Sequence, residues 1–503
     1  MIASLGARPG EALLCGLLYG ATFYFTSLPW IYTVMRVHGH LEPLAALGVL
    51  TAMVGVLSLF TAAFAWCITF VGRRSIALAC CAAPFFWVAL ELGRTHMPDL
   101  GFPWNLLGYT AASSLALVQL TSLAGIYGLS FLVAAYNALL VWGVKSSTRN
   151  NRHPYAVLAG LTGLLIVVVA LGPRFVPPAT PTHVARLVQT NFPQSTSYPA
   201  NWLELHAGEL DEIERISLTP PLQQPALLIW PEVPAPFSFQ DPPFAERAQR
   251  LARAWGGEFL LGVVDWKRQP NARREPYNSA VLLGGDGSQL FLYDKLHLVP
   301  FGEYVPFRQW LTFAGKLTAD IGDFRTGTEY KVASISGGGA GVFICYEAIF
   351  PDEVKRFVAN GATVLVNLSN DGWFLGSAAP QQHLAQARVR AVENRRWLLR
   401  GTNTGVTASI DPYGRTVAEL ATHVRGVLDA PYGFRSDLTL YARYGDWLAW
   451  LSVVVAALCL IAAAFRHKQS TQCAIGSSNQ CGTNPIAQWH NEVPERFWSA
   501  HDS

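Results

Sequence analysis

Six stretches of this chain are long and apolar enough to cross a lipid bilayer as helices, and they decide most of what it can fold into. Five precede residue 173, over roughly 12–34, 44–71, 75–93, 112–144 and 155–172, and one follows at 447–465. A helix needs about 20 such residues to span the ~30 Å hydrocarbon layer. The first run has no small-residue cleavage site after it, Pro29-Trp30 following instead, and reads as a retained span, not a signal peptide. The fourth carries Gly125 and Gly128 and is expected to be broken or tilted. With 51% hydrophobic and 14% charged residues, and 16 Trp to sit at an interface, the composition is that of a membrane protein. A net charge of +3 gives no electrostatic footprint for nucleic acid.

Loop charges orient the spans. Arg73 and Arg74 separate the second from the third, Lys145, Arg149 and Arg152 the fourth from the fifth, and Arg466, His467 and Lys468 follow the sixth. All three clusters fall on one side, which the positive-inside rule makes cytoplasmic. Arg36 and Arg94 fall singly on the other side. The expected organisation is an N-terminal transmembrane domain over 1–172, an outer domain over 173–446, a last span over 447–465, and a polar, disordered cytoplasmic tail over 466–503.

Within the outer domain the pattern changes. "VARLVQTNFPQ", "ALLIWPEVPAPF", "FLLGVVDW", "NSAVLLGGDGSQLFLYDK", "AGVFICYEAIF" and "TVLVNLSNDGWF" are short apolar runs closed by polar, Gly or Pro residues, as buried strands are. Helical patterns over 201–216, 243–255, 351–359 and 380–396 lie between several of them. Alternation of this kind predicts an α/β or layered α+β sheet domain, with chemistry where strands end.

Three strand ends carry an ionisable residue: Glu232 closes "LLIWPE", Lys295 closes "LFLYDK", and Cys345 closes "VFIC". Of eight cysteines, Cys345 alone lies in this domain, so it has no disulfide partner there although the compartment favours one. A lone cysteine is by default a buried inert thiol, and Glu232 or Lys295 alone is a solvated strand end. Together they describe a nucleophilic site. The carboxylate takes the thiol proton, and the ammonium stabilises the thiolate and then an oxyanion. N–H groups after Cys345, at an expected helix N-terminus, offer further oxyanion contacts. The histidines at 183, 206, 297, 383 and 423 are scattered without ligand spacing, so neither a metal nor another cofactor is expected. The glycines at 284–287 read as a hairpin turn and those at 336–341 as a flexible turn, not as phosphate cradles.

"IWPE", "YDKLHLVPFGEYVPF", "ICYEAIFP" and "NLSNDGWF" resemble the Glu-Lys-Cys pattern of the nitrilase superfamily and, more narrowly, the apolipoprotein N-acyltransferase family. "LPWIY" at 28–32, "GFPWNLLGY" at 101–109 and "YARYGDW" at 441–447 resemble that family's span-flanking motifs. The resemblance covers the chain up to about 468. It implies a polytopic α-helical membrane bundle carrying an α/β nitrilase-like (αββα sandwich) domain. The family's triad falls on Glu232, Lys295 and Cys345, and its supporting residues match Glu303, Tyr346 and Glu347. For Tyr346, a place in the core is the alternative to a direct role. The implied reaction moves the sn-1 acyl chain of a phospholipid, typically phosphatidylethanolamine, through a cysteine thioester to the α-amino group of a diacylglyceryl-cysteine on an apolipoprotein. The expected setting is a bacterial inner membrane, multi-pass, with the catalytic domain periplasmic and the enzyme a monomer. Family members usually have eight spans where six are read here, and loss of a pair preserves the orientation. Aromatic segments at 237–244 and 307–315 are lid candidates, with ordinary surface loops as the alternative.

Two other functions compete. A membrane-tethered nitrilase-type amidase shares the triad and differs in admitting water to the thioester. A non-catalytic scaffold or transporter requires repeats or midplane charges, yet no repeat is apparent and Glu91 is the main charge at the edge of a span.

Overall fold

The computed structural model describes residues 1, 3–146, 153–195, 198–219, 227–268, 273–304, 324–374 and 376–478, the last stretch from 466 as backbone only. The candidate lid at 307–315 and the tail beyond 478 lie outside the described residues.

The membrane part comprises α1 (Pro9–Ser27), α2 (Pro29–Val37), α3 (Pro43–Gly72), α4 (Ile76–Thr95), α5 (Thr121–Ser146) and α6 (His153–Leu171), joined later by the helix Trp447–Ser478. Among the described residues, five helices are long and apolar enough to span, and six if α1 and α2 form one broken span. The break is a difference from the single first span expected: α1 and α2 meet at 52°. Pro29 accounts for it, since it lacks an N–H and its ring crowds the preceding turn. The fourth apolar run also divides. Its helix starts only at Thr121 and is interrupted at Gly125, where φ is +64°. A Cβ there would come within 2.5 Å of the Tyr441 ring, so both the backbone angle and the contact require glycine.

Among the described residues, the α/β part between the fifth and last apolar helices contains two six-stranded sheets. The first, in the order β12-β1-β2-β3-β4-β5, is built from β1 (His183–Gln189), β2 (Leu227–Ile229), β3 (Glu258–Arg268), β4 (Arg274–Leu283), β5 (Gln289–Asp294) and β12 (Gly426–Tyr432). The second, in the order β11-β10-β9-β8-β7-β6, is built from β6 (Val332–Ile335), β7 (Gly338–Ile344), β8 (Val364–Ser369), β9 (Leu398–Thr402), β10 (Ala408–Ile410) and β11 (Thr416–Glu419). In each, three parallel strands lie between antiparallel ones: β1-β2-β3 and β7-β8-β9.

Period-two alternation sorts the side chains. Ala185, Leu187, Ile229, Leu260, Ala280 and Leu282 join the core shared with the second sheet. Val188, Leu228, Phe259, Leu261, Val281 and Leu283 face the opposite way, onto α7 (Ala207–Leu218) and α8 (Pro242–Trp255). On the second sheet, α9 (Pro351–Ala359) and α10 (Ala379–Asn394) pack through Val354, Phe357, Ala387 and Ala391. Helix, sheet, sheet and helix thus form the expected αββα sandwich. The aromatics at 237–244 are not a lid. Phe237 and Phe244 are buried and stack at 4.4 Å in the core beneath α8.

A short helix, α11 (Leu440–Tyr444), leads into α12 (Trp447–Ser478), which runs beyond the span expected to end at 465. The sandwich is seated on the membrane part mainly by α10. Glu393 accepts from the Ile126 N–H at 2.8 Å, Arg395 donates to Gln119 at 2.6 Å, and Gln382 accepts from Trp104 Nε1 at 2.7 Å.

Candidate active site

Each candidate residue stands just past a strand: Glu232 beyond β2, Lys295 directly after β5, Cys345 directly after β7. β2 and β5 belong to one sheet and β7 to the other, so the site forms where facing strand ends converge. Lys295 is 1% exposed, with Nζ 3.2 Å from Glu232 Oε1 and 3.0 Å from Glu303 Oε1. Asn278, on β4, donates to the same two oxygens at 2.8 and 2.7 Å. The remaining oxygens accept from main chain: Glu232 Oε2 from the Asn370 N–H and Glu303 Oε2 from the Val299 N–H, each at 2.8 Å. Both carboxylates are therefore fixed in orientation. Burial works against the Lys295 charge, but Glu232 and Glu303 outweigh it and hold its pKa above the ordinary value.

Cys345 is buried, and its backbone φ is +49°. A non-glycine residue in that region stores about 1–3 kcal/mol and persists only where surroundings enforce it. Burial first, then the Glu232 charge, push the thiol pKa up, with Lys295 pulling the other way. The resting group is thus a protonated thiol in the electrostatic field of a fixed carboxylate and a fixed ammonium. The backbone beyond Cys345 departs from the α-helix expected there. A 3₁₀ turn spans Cys345–Ile349 and α9 starts only at Pro351, so the N–H groups directly after Cys345 belong to that turn and not to an α-helix N-terminus.

Glu347 ties the two strand ends together. Its Oε1 accepts from the Tyr293 hydroxyl and the Leu296 N–H at 2.7 Å and the His297 N–H at 3.2 Å, and its Oε2 from the Ile344 N–H at 2.6 Å. Burial and then the nearby Glu353 push its pKa up to about 7, against the pull of Ile344 N–H and Tyr293. Tyr346 is buried among Phe102, Trp104, Ile349 and Phe350, which makes "GFPWNLLGY" the floor beneath the cysteine turn.

Four neighbours were assigned no role from the sequence, although Asn370 and Asp371 lie within the "NLSNDGWF" motif. Besides Asn278 and Asn370, a buried pair stands behind Cys345: His383 Nε2 lies 3.0 Å from the Cys345 carbonyl, and its Nδ1 lies 3.0 Å from Asp371 Oδ1 and 3.2 Å from Arg400 Nη2. Burial opposes the Asp371 charge, yet Arg400 and His383 hold that carboxyl well below the usual range. Burial and Arg400 keep His383 below its ordinary value. A neutral ring has one N–H: on Nε2 it serves the Cys345 carbonyl and lets Nδ1 accept from Arg400, and Asp371 is then held by Arg400 and Ser369 and not by the ring. The nearest to a signal was the polar Asn at the head of the alternating run "NSAVLL", a buried position that needs a polar partner.

Chemically, the cluster offers a nucleophile, a fixed carboxylate to move its proton, and a cation that a developing oxyanion can meet. Residues 193–432 match the family model described as carbon-nitrogen hydrolase, and residues 1–139 match the apolipoprotein N-acyltransferase N-terminal domain. An apolipoprotein N-acyltransferase of Geobacter metallireducens is 36% identical, covering 92% of this chain and 88% of its own. That of Bradyrhizobium diazoefficiens is 37% identical over 83% and 79%. Among solved structures, an amidase from Nesterenkonia sp. aligns at 21% identity with a TM-score of 0.38, over 53% of this chain and 94% of that one.

Proposed function

Because this chain belongs to the apolipoprotein N-acyltransferase family, we propose that Glu232, Lys295 and Cys345 are the catalytic triad of its lipoprotein N-acylation. The enzyme transfers an acyl chain from a lipid donor to a lipoprotein acceptor at a membrane. The observation that carries the residue assignment is the buried Lys295 ammonium, clamped between Glu232 and Glu303 and acting on the Cys345 thiol.

In the first half-reaction Cys345 Sγ attacks the sn-1 ester carbonyl of a phospholipid, read here as phosphatidylethanolamine, while Glu232 takes the thiol proton. Lys295 meets the tetrahedral oxyanion. Collapse breaks the ester C–O bond, and the departing lysophospholipid takes the proton back from Glu232. In the second, the lipoprotein's α-amine attacks the thioester, gives its proton to Glu232, and the sulfur leaves to recover it. Glu303 and Glu347 keep the ammonium and the cysteine turn in place, and Tyr346 shapes the turn from below. The basic clusters at Arg73-Arg74 and Lys145 flank the ends of α3, α4 and α5 remote from the sandwich, which supports a periplasmic catalytic domain on a bacterial inner membrane.

The test is reconstitution with acyl-labelled phospholipid and a diacylated lipopeptide. Label moving to the lipopeptide is the expected result; label released as free fatty acid would indicate the hydrolase instead.

The geometry carries three smaller effects. Gly262, on β3, lies under the Glu232 loop: a Cβ there would stand 2.6 Å from the Pro231 carbonyl and 2.7 Å from Glu232 Cα. Gly262→Ala is expected to shift Glu232 and slow thioester formation by ~100-fold, read by single-turnover acylation. His383→Ala removes the donor to the Cys345 carbonyl and is expected to lower acylation by about tenfold, with His383→Gln restoring most of it.

The third concerns pH. Protonated Glu347 presents an O–H where four donors converge, so acylation should fall as pH drops below about 7. Its folded pKa is raised above the unfolded one, so its contribution to stability is full below the ordinary carboxyl range and lost as pH rises towards 7. Activity and melting temperature should therefore move in opposite directions across that window, and Glu347→Gln should flatten both.

A further inference from the structure

The acyl acceptor reaches the enzyme with one proton too many. An α-amine has a pKa of about 8, so about nine-tenths of it is ammonium at pH 7, and an ammonium has no lone pair with which to attack a thioester. The proton that Glu232 takes leaves the amine only after attack. The earlier proton must go to another group, because Glu232 sits 3.2 Å from the Lys295 ammonium, which opposes the approach of a second cation.

A polar cavity of about 650 Å³ is walled by the loop after α4, by residues 296–298 directly after Lys295, and by residues 350–353 at the head of α9. His297 lines it. Its Nδ1 lies 2.7 Å from Glu353 Oε1, and its ring stacks on Phe350 with centroids 3.7 Å apart. A carboxylate only accepts, so this contact places the ring's N–H on Nδ1 and leaves Nε2 with a lone pair. Nε2 makes no hydrogen bond among the described residues, yet it is not one of the shielded atoms, and the side chain is 31% exposed. Phe350 thus fixes the plane of the ring and Glu353 its tautomer, while the basic nitrogen stays accessible. The other titratable side chains on the cavity are His96, Asp99, Tyr304, Arg325, Asp352 and Glu353. Arg325 donates to Glu275 at 2.8 Å, and Arg356 stands 3.6 Å from Asp352. From the cysteine turn, Glu347 accepts from the His297 backbone N–H. Three carboxylates against one guanidinium on the wall favour an arriving cation.

We infer that His297, held by Glu353, is a second base of the reaction, taking the proton from the acceptor's α-ammonium before the amine meets the thioester. The N–H bond breaks, its electron pair stays on the amine nitrogen, and the proton bonds to Nε2. Glu353 steadies the imidazolium across the Nδ1 contact, and the imidazolium passes the proton to solvent water. The neutral amine then attacks, gives its next proton to Glu232 and releases the Cys345 thiol. Acyl transfer to an ammonium liberates one proton overall, and this step is its exit. The position suits the role: His297 follows Lys295 by two residues, and its ring lies 5.7 Å from that of Tyr346, the residue after Cys345. The inference rests on the acyltransferase reading, since a hydrolase, whose nucleophile is water, has no ammonium to deprotonate.

The test loads the full-length enzyme with a labelled acyl chain, then follows loss of the thioester as a second step. With a diacylated lipopeptide at pH 7, His297→Gln should transfer about tenfold more slowly than the parent, relative to each enzyme's own rate of thioester formation, because only amine that is already neutral can react. The gap should close by about pH 9, where the amine is neutral unaided. Hydroxylamine, an amine mostly unprotonated at neutral pH, should discharge the two thioesters equally. Glu353→Gln keeps an acceptor for Nδ1 and loses the charge, so it should show a smaller deficit with the same recovery; if His297→Gln does not fold, this variant decides. Transfer undiminished at pH 7 in the variant that folds, a deficit that persists at pH 9, or an equal deficit with hydroxylamine overturns the inference. Failure of the acyltransferase reading would look different: the parent itself would form no thioester, or would lose it to water and leave the lipopeptide unlabelled.

Discussion

Cys345→Ser should form no thioester and transfer no acyl chain at a measurable rate, a loss of ~10⁴-fold or more. The sulfur is not replaceable by oxygen here. A serine hydroxyl is far less acidic than a thiol, and the site is tuned to a thiol: one carboxylate to take a proton and one ammonium to meet the oxyanion, with no imidazole in line with the nucleophile. His383 touches the Cys345 carbonyl, not its side chain. Serine fits the same volume, so the variant should melt with the parent, and acyl-enzyme mass measured after exposure to labelled phospholipid separates lost chemistry from lost structure. Turnover near the parental rate would refute covalent catalysis at this residue.

Glu232→Gln is the second large effect. The amide keeps the shape but cannot take a proton, and it turns one donor towards a cluster built around an acceptor. Glu232 receives Asn278 and Lys295 on one oxygen and the Asn370 N–H on the other, so an NH₂ in either position meets a donor. The catalytic loss should be about 10³-fold, from the missing base together with the disturbed ammonium. Stability should also drop, by roughly 1–3 kcal/mol for a buried donor left opposing another. The decisive readout is single-turnover acylation across pH. A variant that recovers at high pH, where thiolate forms unaided, supports the proton-transfer role; one that stays inactive at all pH values while folded would assign Glu232 to structure.

Glu232, Lys295 and Cys345, the proposed triad, could be singled out because each punctuates a strand: a charged or nucleophilic residue just after an apolar run is visible without knowing the partner. A layered α/β domain was legible because short apolar runs alternate with helical patterns, whereas the αββα sandwich itself came from the family resemblance. The roles of Asn278, Asn370, Asp371 and His383 were not legible, even though Asn370 and Asp371 sit in the quoted "NLSNDGWF" motif. Their meaning is a contact with a residue remote in the chain, such as the 138-residue separation between Asn370 and Glu232, and each alone is an ordinary polar residue. The aromatics at 237–244 misled because a Phe-rich, Pro-rich loop has the composition of an interfacial lid, while only packing reveals that Phe237 stacks on Phe244 beneath α8. The bend at Leu28–Pro29 was hidden inside a continuous apolar run, since hydropathy averages over the missing N–H of one proline.

The docking of α10 onto residues 101–126 has a practical meaning. Trp104 hydrogen-bonds Gln382, its ring lies 5.6 Å from that of His383 at a tilt of 34°, and Phe102 and Trp104 share a buried core with Tyr346. Cys345 is thereby anchored at one height relative to the apolar helices, like a tool bolted to a bench instead of hung on a cord. Both greasy clients must travel to that height, one after the other, and a sandwich excised from its helices would keep its strands yet lose the underside of its own workplace.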